Sequence, residues 1–226
     1  QELKVKPDEN SDVRWIGLDN WKDHCKEPHM IPVYDKIIRR MLELKQKKEE
    51  IFAQLPMYLL PWFRKEGRDL PWRRTDNPYH IWLSEIMLQQ TRVEAVKGYY
   101  DRFLNQLPDI ASLAQADKDT VMKLWEGLGY YSRAANLQKA AIEIMELHGG
   151  IFPDNYDDIH KLSGIGDYTA GAIASVCFGA PKAAVDGNVL RVISRITEDY
   201  RLITDAATKK EYAGLLEKYF PLQENY

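Results

Sequence analysis

The sequence predicts an all-α protein, and two observations support this. Apolar residues recur at helical spacing in seven segments between residues 79 and 219, whereas alternating strand patterns are absent. Proline and glycine residues fall between those segments, where they end one helix and let the chain turn into the next. With 226 residues and 45% hydrophobic content, the chain is large enough to form one or two domains around a buried core.

The predicted helices follow one another with short connections. A first helical pattern runs from Pro32 to Gln54 and is broken by Pro56; its many charges favour a solvated face over a DNA-binding stripe. A short helix is expected at about 155–162, just before a glycine-rich turn. The seven stronger segments are 79–91, 93–106, 117–126, 130–147, 167–179, 187–197 and 206–219.

The composition limits which cellular compartments and which classes of partner are expected. The net charge of -3 and the pI of about 6.0 argue weakly against a nucleic-acid partner, because local patches matter more than the total. The two cysteines, Cys25 and Cys177, form no metal motif and no disulfide framework, which indicates a reducing compartment. No signal peptide is visible, and the longest apolar tract (170–180) is too short for a membrane span. We therefore expect an intracellular monomer, in the cytoplasm or nucleoid, with no membrane partner.

A carboxylate lies within an apolar helical stretch, W-L-S-E-I-M-L-Q-Q-T at residues 82–91. The helical neighbours of Glu85 at three and four residues are Ile81, Trp82, Leu88 and Gln89, of which three are apolar. Burying an ionised carboxylate without a partner is costly. These surroundings should raise the pKa of Glu85 and favour the protonated acid.

A second carboxylate, Asp186, directly precedes the helical pattern that begins in V-D-G-N-V-L-R-V. Alone, it is best explained as an N-cap that accepts hydrogen bonds from first-turn amides. Such bonds favour the anion, so the same side chain could also stabilise a nearby positive charge. A protonated acid paired with an ionised carboxylate is the arrangement that cleaves glycosidic bonds through an oxocarbenium-like transition state.

The stretch L-S-G-I-G-D-Y-T-A-G-A at residues 162–172 predicts a helical hairpin with Gly164 and Gly166 in its turn. Glycine permits close backbone approach, and the amides that begin the next helix could bind a DNA phosphate without a basic side chain. The spacing alone fits an ordinary interhelical turn equally well. The small residues from Thr169 to Ala172 favour the DNA-binding alternative because they permit close helix packing.

From about Ile51 onward, the chain resembles the catalytic domain of MutY-type adenine DNA glycosylases in the helix-hairpin-helix superfamily. The resemblance rests on six ordered blocks: R-D-L-P-W-R-R (68–74), N-P-Y-H-I-W-L-S-E-I-M-L-Q-Q-T (77–91), L-W-E-G-L-G-Y-Y-S-R-A-A-N-L (124–137), H-G-G-I-F-P (148–153), L-S-G-I-G-D-Y-T-A-G-A-I (162–173) and V-D-G-N-V-L-R-V (185–192). It implies base excision repair by removal of adenine opposite 8-oxoguanine or guanine in double-stranded DNA.

The resemblance also implies residue roles. Glu85 would be the general acid at adenine N7, and Asp186, held by Asn188, would stabilise the oxocarbenium ion and assist water. Tyr168, where the family has Ser or Tyr, would support the same intermediate. The endonuclease III-like branch carries a Schiff-base lysine at that position, so base removal without strand cleavage is expected here. The implied DNA and substrate contacts are Arg68, Trp72, Arg73, Leu88, Gln90, Thr91, Leu128, Tyr130, Gly164 and Gly166, with Gln90 and Tyr130 as the wedge that enters the base stack.

The resemblance predicts the domain organisation as well. Residues 1–50 form an unassigned, partly helical extension, and residues 51–226 form the glycosylase domain. Within it, a six-helix barrel (76–185) with hairpin 162–172 faces an incomplete terminal subdomain (51–75 and 186–226) across the active-site cleft. Family members bind a [4Fe–4S] cluster through four cysteines after the catalytic aspartate. This chain lacks those cysteines, so we expect it to bind no cluster and to be a truncated piece with weak, poorly selective activity.

Two alternatives remain open at this point. One is a lesion glycosylase of another specificity on the endonuclease III-like fold. The other is a DNA-binding fragment without catalytic activity. For Trp72, Leu88 and Tyr130, simple core packing is the alternative to a role in DNA binding.

Overall fold

The computed structural model describes residues 21–25 and 28–219, and in these ranges it contains helices and no strand. Short 3-10 helices cover Trp21–His24, Pro28–Met30 and Pro71–Arg73. Ten α-helices are present in the described ranges: α1 (Ile31–Glu66), α2 (Pro78–Leu88), α3 (Val93–Gln106), α4 (Ile110–Gln115), α5 (Lys118–Trp125), α6 (Ser132–Leu147), α7 (Tyr156–Lys161), α8 (Asp167–Phe178), α9 (Gly187–Ile196) and α10 (Ala206–Tyr219). The prediction of an all-α protein is confirmed.

Helix α1 corrects the predicted break at Pro56, because the helix continues through both Pro56 and Pro61. A proline inside a helix removes a hydrogen bond and disfavours the helix by about 3 kcal/mol or more. Phe52 is buried in a cluster with Leu190, Ile193 and Tyr212, which no local pattern in the sequence could indicate.

The other predicted helices are present with ends within two residues of those expected, apart from α2, which ends three residues early at Leu88. Helix α4 was not predicted. It has six residues and begins with a capping box, in which Asp109 Oδ1 accepts from the Ser112 amide at 2.7 Å and Ser112 Oγ accepts from the Asp109 amide at 3.1 Å. So short a segment carries too few apolar positions to show a helical period.

The chain divides into two compact units, residues 1–48 and 49–226. In the first unit, Asp35 forms ion pairs with Lys22 at 2.7 Å and with Arg39 at 2.6 Å. The part of the predicted extension in residues 1–20 lies outside the described residues. The division of residues 51–226 into a barrel and a terminal subdomain stays a prediction.

The second unit contains a large hydrophobic core that runs from Leu70 to Ala174 and a small cluster built around Phe52 and Tyr212. Helix α2 is central to the large core: seven of its eleven residues are buried, and it contacts α3, α6 and α8. A helix that is apolar on all sides belongs in the interior. In the described part of the chain, no helix is both long and apolar enough to cross a membrane.

Candidate active site and hairpin

A cavity of about 980 Å³ opens in the second unit and brings together segments that are distant in sequence. Its lining residues come from five places: residues 68–76, helix α2 with the turn that follows it, the start of helix α3, helix α8, and the start of helix α9. Nine of the predicted site residues line it: Glu85, Asp186, Asn188, Tyr168, Arg68, Trp72, Arg73, Leu88 and Gln90.

Glu85 supplies a titratable group to this cavity from the middle of helix α2. Burial raises the pKa of its carboxyl to about 7, and the negative charge of Asp186 contributes in the same direction. The predicted rise in pKa is therefore confirmed. At neutral pH, a substantial fraction of Glu85 carries a proton that it can donate to a group in the cavity.

Asp186 is the N-cap of helix α9, as the sequence predicts. Its Oδ1 accepts hydrogen bonds from the amides of Asn188 at 2.9 Å and Val189 at 2.8 Å. Its Oδ2 accepts one from Asn188 Nδ2 at 2.9 Å, and the Asn188 side chain in turn accepts one from Arg191 at 2.8 Å. The carboxylate is thus held in one orientation at the edge of the cavity.

Tyr168, the second residue of helix α8, lines the same cavity with 39% of its surface exposed. Trp72 lines it too, yet only 6% of its surface is exposed, and its ring packs edge-on against Tyr100 at a centroid distance of 5.4 Å. Trp72 can therefore pack in the core and form part of the cavity wall at the same time. The roles assigned to these residues from the resemblance stay predictions.

Five predicted contacts lie outside the cavity lining: Thr91, Leu128, Tyr130, Gly164 and Gly166. Leu128 is buried in the large core, while Tyr130 is exposed over 62% of its surface. Both predicted wedge residues have left-handed backbone conformations, with φ of 56° at Gln90 and 49° at Tyr130. Such strain in residues other than glycine is held only where the surroundings enforce it, and it is frequent at functional sites.

The predicted hairpin is present between helices α7 and α8. Gly164 has φ of 77°, and a Cβ there would lie 2.7 Å from Asn136 Cβ, so glycine is required on both counts. Helix α6 anchors the turn, since Glu143 accepts hydrogen bonds from the Ser163 amide at 2.8 Å and from Ser163 Oγ at 2.6 Å. Asp167, at the start of α8, lies 2.9 Å from His160 Nε2.

Sequence reasoning assigned no role to Arg133, which helix α6 carries into the interior close to the end of α2. The signal was present, because Arg133 lies on the apolar face of α6 with Ala134, Leu137 and Ala141, all of which are buried. A charge at a core position is the same pattern that drew attention to Glu85. Asp76 and Ser84 also line the cavity and were not predicted.

The residues present do not fit a [4Fe–4S] cluster. Cys177 is half-buried in helix α8, and burial raises the pKa of its thiol to about 12, which disfavours the thiolate that a metal requires. Cys25 belongs to the first unit. In the described ranges, no group of three or more His, Cys, Asp or Glu side chains is placed to hold a metal ion.

Comparison with solved structures supports the fold. A thermostable thymine-DNA glycosylase superposes with a TM-score of 0.69 and 30% identity, over 80% of this chain and 82% of that chain. Endonuclease III in a trapped covalent complex with DNA gives a TM-score of 0.64 at 23% identity, over 80% of each chain. The helix-hairpin-helix glycosylase fold predicted from the resemblance is confirmed.

Comparison with curated sequences finds relatives named adenine DNA glycosylase. The protein from Buchnera aphidicola subsp. Acyrthosiphon pisum is 42% identical over 76% of this chain and 49% of its own length. The human protein is 45% identical over 61% of this chain and 27% of its own length. The chain thus spans about half or less of these relatives. The model of the HhH-GPD superfamily base excision DNA repair proteins matches residues 83–222. On this match over more than half of its length, the chain belongs to the HhH-GPD superfamily of base excision DNA repair proteins.

Proposed function

We propose that this protein is a monofunctional DNA glycosylase that removes adenine mispaired with 8-oxoguanine or guanine by hydrolysis of the N-glycosidic bond. The observation that carries the proposal is one cavity lined by a half-buried acid, Glu85, whose pKa is about 7, and by an oriented carboxylate, Asp186. Relatives with the name adenine DNA glycosylase support the choice of base.

In the proposed reaction, Glu85 donates its proton to N7 of an adenine bound in the cavity. The bond between C1′ and N9 then breaks, and its electron pair leaves with the base. Positive charge develops on the sugar, and the carboxylate of Asp186 stabilises it. The oxygen of a water molecule then bonds to C1′, and that water loses a proton. The product is an abasic site. A positioned general acid typically contributes about 10²–10⁴-fold in rate.

The adenine must leave the duplex to reach this cavity, because an enzyme cannot act on its target atom inside the base stack. Gln90 and Tyr130 are suited to fill the resulting gap, since both are exposed side chains on left-handed turns. Thr91 and Leu128 lie beside them and would be near the opposite base. The hairpin with Gly164 and Gly166 would bind the phosphate backbone through its amides.

The proposal of base removal without strand cleavage rests on the chemistry of the cavity. Coupled strand cleavage through a Schiff base needs an amine nucleophile. Among the described residues that line the cavity, none is a lysine. By the resemblance, Tyr168 stands where the endonuclease III-like branch carries its lysine. No step of the reaction requires a metal cluster.

A single-turnover excision assay tests the proposal. Duplexes that pair adenine with 8-oxoguanine, guanine or cytosine are incubated with excess enzyme, and strands are analysed with and without alkali. We expect adenine release from the first two, with strand breaks only after alkali. Glu85→Gln and Asp186→Asn should each abolish release and leave DNA binding largely intact. Excision by both variants would refute the mechanism, and trapping by borohydride would reveal an amine nucleophile.

A second candidate function is removal of a mispaired thymine, which is favoured by the 30% identity with the thymine-DNA glycosylase structure over 82% of that chain. A duplex with thymine opposite guanine belongs in the same assay. Release of thymine with adenine left intact would make this the preferred function. DNA binding without release of any base would instead indicate a non-catalytic DNA-binding protein.

A further inference from the structure

Arg133 is a charged side chain in the interior of the second unit, with 8% of its surface exposed. In the described part of the chain, no carboxylate lies within ion-pair distance of it, so backbone dipoles surround the guanidinium instead. The cation also packs on two aromatic rings, with centroid distances of 5.5 Å to Trp125 and 5.4 Å to Tyr130. The third nitrogen, Nε, is buried without a hydrogen-bond partner. A buried cation with no carboxylate partner and one unpaired donor is costly, and it calls for an explanation.

The two terminal nitrogens of Arg133 hold two different turns. Nη1 donates to the carbonyls of Ile86 at 2.9 Å, Met87 at 3.1 Å and Gln89 at 2.5 Å, at the end of helix α2. Nη2 donates to the carbonyls of Leu128 and Gly129, each at 3.2 Å, and to Thr91 Oγ1 at 3.3 Å. The planar fork of a guanidinium can satisfy both sets at once, whereas an ammonium group concentrates its donors at one point.

Two of these carbonyls directly precede the strained residues. The Gln89 carbonyl belongs to the peptide before Gln90, and the Gly129 carbonyl belongs to the peptide before Tyr130. The angle φ of a residue is the rotation about its N–Cα bond, which begins at the peptide that contains the preceding carbonyl. Hydrogen bonds that fix this carbonyl therefore help to fix φ. Gln90 and Tyr130 have φ of 56° and 49°, which most side chains avoid. One guanidinium therefore stabilises both left-handed conformations.

We propose that Arg133 is a positioning residue that locks the turns at Gln90 and Tyr130 to each other, so that both side chains enter DNA as one rigid unit. This rests on the proposed function, in which these two residues form the wedge. The simpler alternative is that Arg133 only stabilises the core. The two explanations differ in whether the effect of removing the guanidinium depends on the wedge side chains.

The experiment compares Arg133→Lys with Arg102→Lys as a matched control. Arg102 also donates to one carbonyl, that of Leu124 at 3.1 Å, and packs on the Tyr99 ring at 4.6 Å, but it is exposed and outside the cavity lining. Base extrusion is followed by the fluorescence of 2-aminopurine placed at the target position of a duplex, and excision by single-turnover release of adenine.

For Arg133→Lys we expect a smaller fluorescence rise and a loss of excision rate of about 100-fold, because small misplacements of positioning groups cost that much. Arg102→Lys should match the wild type within about twofold. The decisive measurement repeats Arg133→Lys in a Gln90→Ala/Tyr130→Ala background. If Arg133 acts through the wedge, the added substitution should change the rate by no more than about twofold. An equal loss in both backgrounds would overturn the proposal.

Two further arms keep the result decisive. If Arg133→Lys fails to fold, as judged by circular dichroism, Thr91→Val removes a single acceptor of Arg133 and should lower extrusion by a smaller factor. Because Thr91 is also placed near the opposite base, the substitution is repeated in the Gln90→Ala/Tyr130→Ala background, where it should have no effect. No loss in the wild-type background, or an equal loss in both, would count against the proposal. If the wild type extrudes the base without releasing it, the proposed function is wrong. The fluorescence comparison then still tests whether Arg133 contributes to base extrusion. If the wild type does neither, both proposals fall.

Discussion

The acid and the carboxylate of the cavity differ because their surroundings differ. Glu85 comes from a helix that is buried on nearly every side, so its charged form loses solvation and its pKa rises to about 7. Asp186 comes from the start of helix α9, where three hydrogen bonds orient its oxygens. One cavity is thereby lined by a carboxyl group with a raised pKa and by a carboxyl group held in one orientation, which are the two groups that the proposed reaction needs.

The raised pKa of Glu85 predicts a pH-dependent effect of Glu85→Gln on stability. Below pH 4.5, Glu85 is protonated in both the folded and the unfolded state, and the substitution should be nearly neutral. As pH rises from about 4.5 to 7, the unfolded state ionises first and the folded wild type loses stability. We therefore expect the variant to be more stable than the wild type at pH 8, by up to about 3 kcal/mol.

Chemical denaturation at pH 5 and pH 8 measures this difference. Glu146→Gln, an exposed substitution on helix α6, serves as the control and should show little dependence on pH. If the stability of Glu85→Gln relative to the wild type is no greater at pH 8 than at pH 5, burial is not the cause of the raised pKa.

The excision rate of the wild type should fall above pH 7, where Glu85 loses its proton.

Two substitutions separate the structural and the chemical role of Asp186. Asparagine is an equally good N-cap, so Asp186→Asn should retain the stability of helix α9 yet lose excision. Alanine cannot accept the bonds from Asn188 and Val189, so Asp186→Ala should lose excision and also about 1 kcal/mol of stability. Thermal unfolding and the excision assay, applied to both variants, distinguish the two roles. Retained excision in the asparagine variant would show that the negative charge is not needed.

At the scale of elements, the hairpin depends on helix α6 as much as on its own sequence. Asn136 of α6 leaves no room for a side chain at residue 164, and Glu143 of α6 holds Ser163. The small residues of α8 permit a close approach too, since a Cβ at Gly171 would lie 2.8 Å from the carbonyl oxygen of Ala183. Helix α6 therefore supports the turn, while the segment around Ala183 packs against helix α8.

The two hairpin glycines give a matched prediction. Gly164→Ala places a Cβ in a left-handed conformation and against Asn136, so it should cost about 1–3 kcal/mol of stability and weaken DNA binding. Gly166→Ala should be tolerated in the folded protein, because φ is -101° and nothing lies within 4 Å of the added Cβ. Urea unfolding and a DNA-binding titration test both. Equal losses for the two variants would argue against this account of the turn.

At the scale of the whole molecule, both hydrophobic clusters of the second unit lie between Phe52 and Tyr212. The first unit contributes no residue to either cluster or to the cavity lining among the described residues. The two clusters and the cavity are therefore built, as far as the described residues show, by the second unit.

This predicts that a variant without residues 1–48 folds and excises adenine at a rate within about twofold of the full chain, because no described residue of the removed segment belongs to the cavity lining or to either cluster. Circular dichroism, thermal unfolding and the single-turnover assay measure the outcome. Glu85→Gln in the shortened chain provides the inactive control. Loss of cooperative unfolding in the shortened chain would show that the first unit supports the second.

Local patterns in the sequence determined much of this protein. Periodic apolar residues indicated the main helices, Asp186 before Gly187 indicated the cap of α9, and Glu85 among apolar neighbours indicated a raised pKa. Each of these depends on residues within about one helical turn of each other. The resemblance to the glycosylases added roles for residues that no pattern would have singled out, and those roles remain to be tested.

The remaining features depend on contacts between residues that are far apart in sequence. Pro56 should end a helix by local rules, yet helix α1 continues through it to Glu66. The shared cavity of Glu85 and Asp186, the requirement for glycine at residue 164, and the bonds from Arg133 to two turns all join residues far apart in sequence. Such contacts depend on how helices pack against one another, and helical periodicity shows which face of a helix is buried without showing its partner.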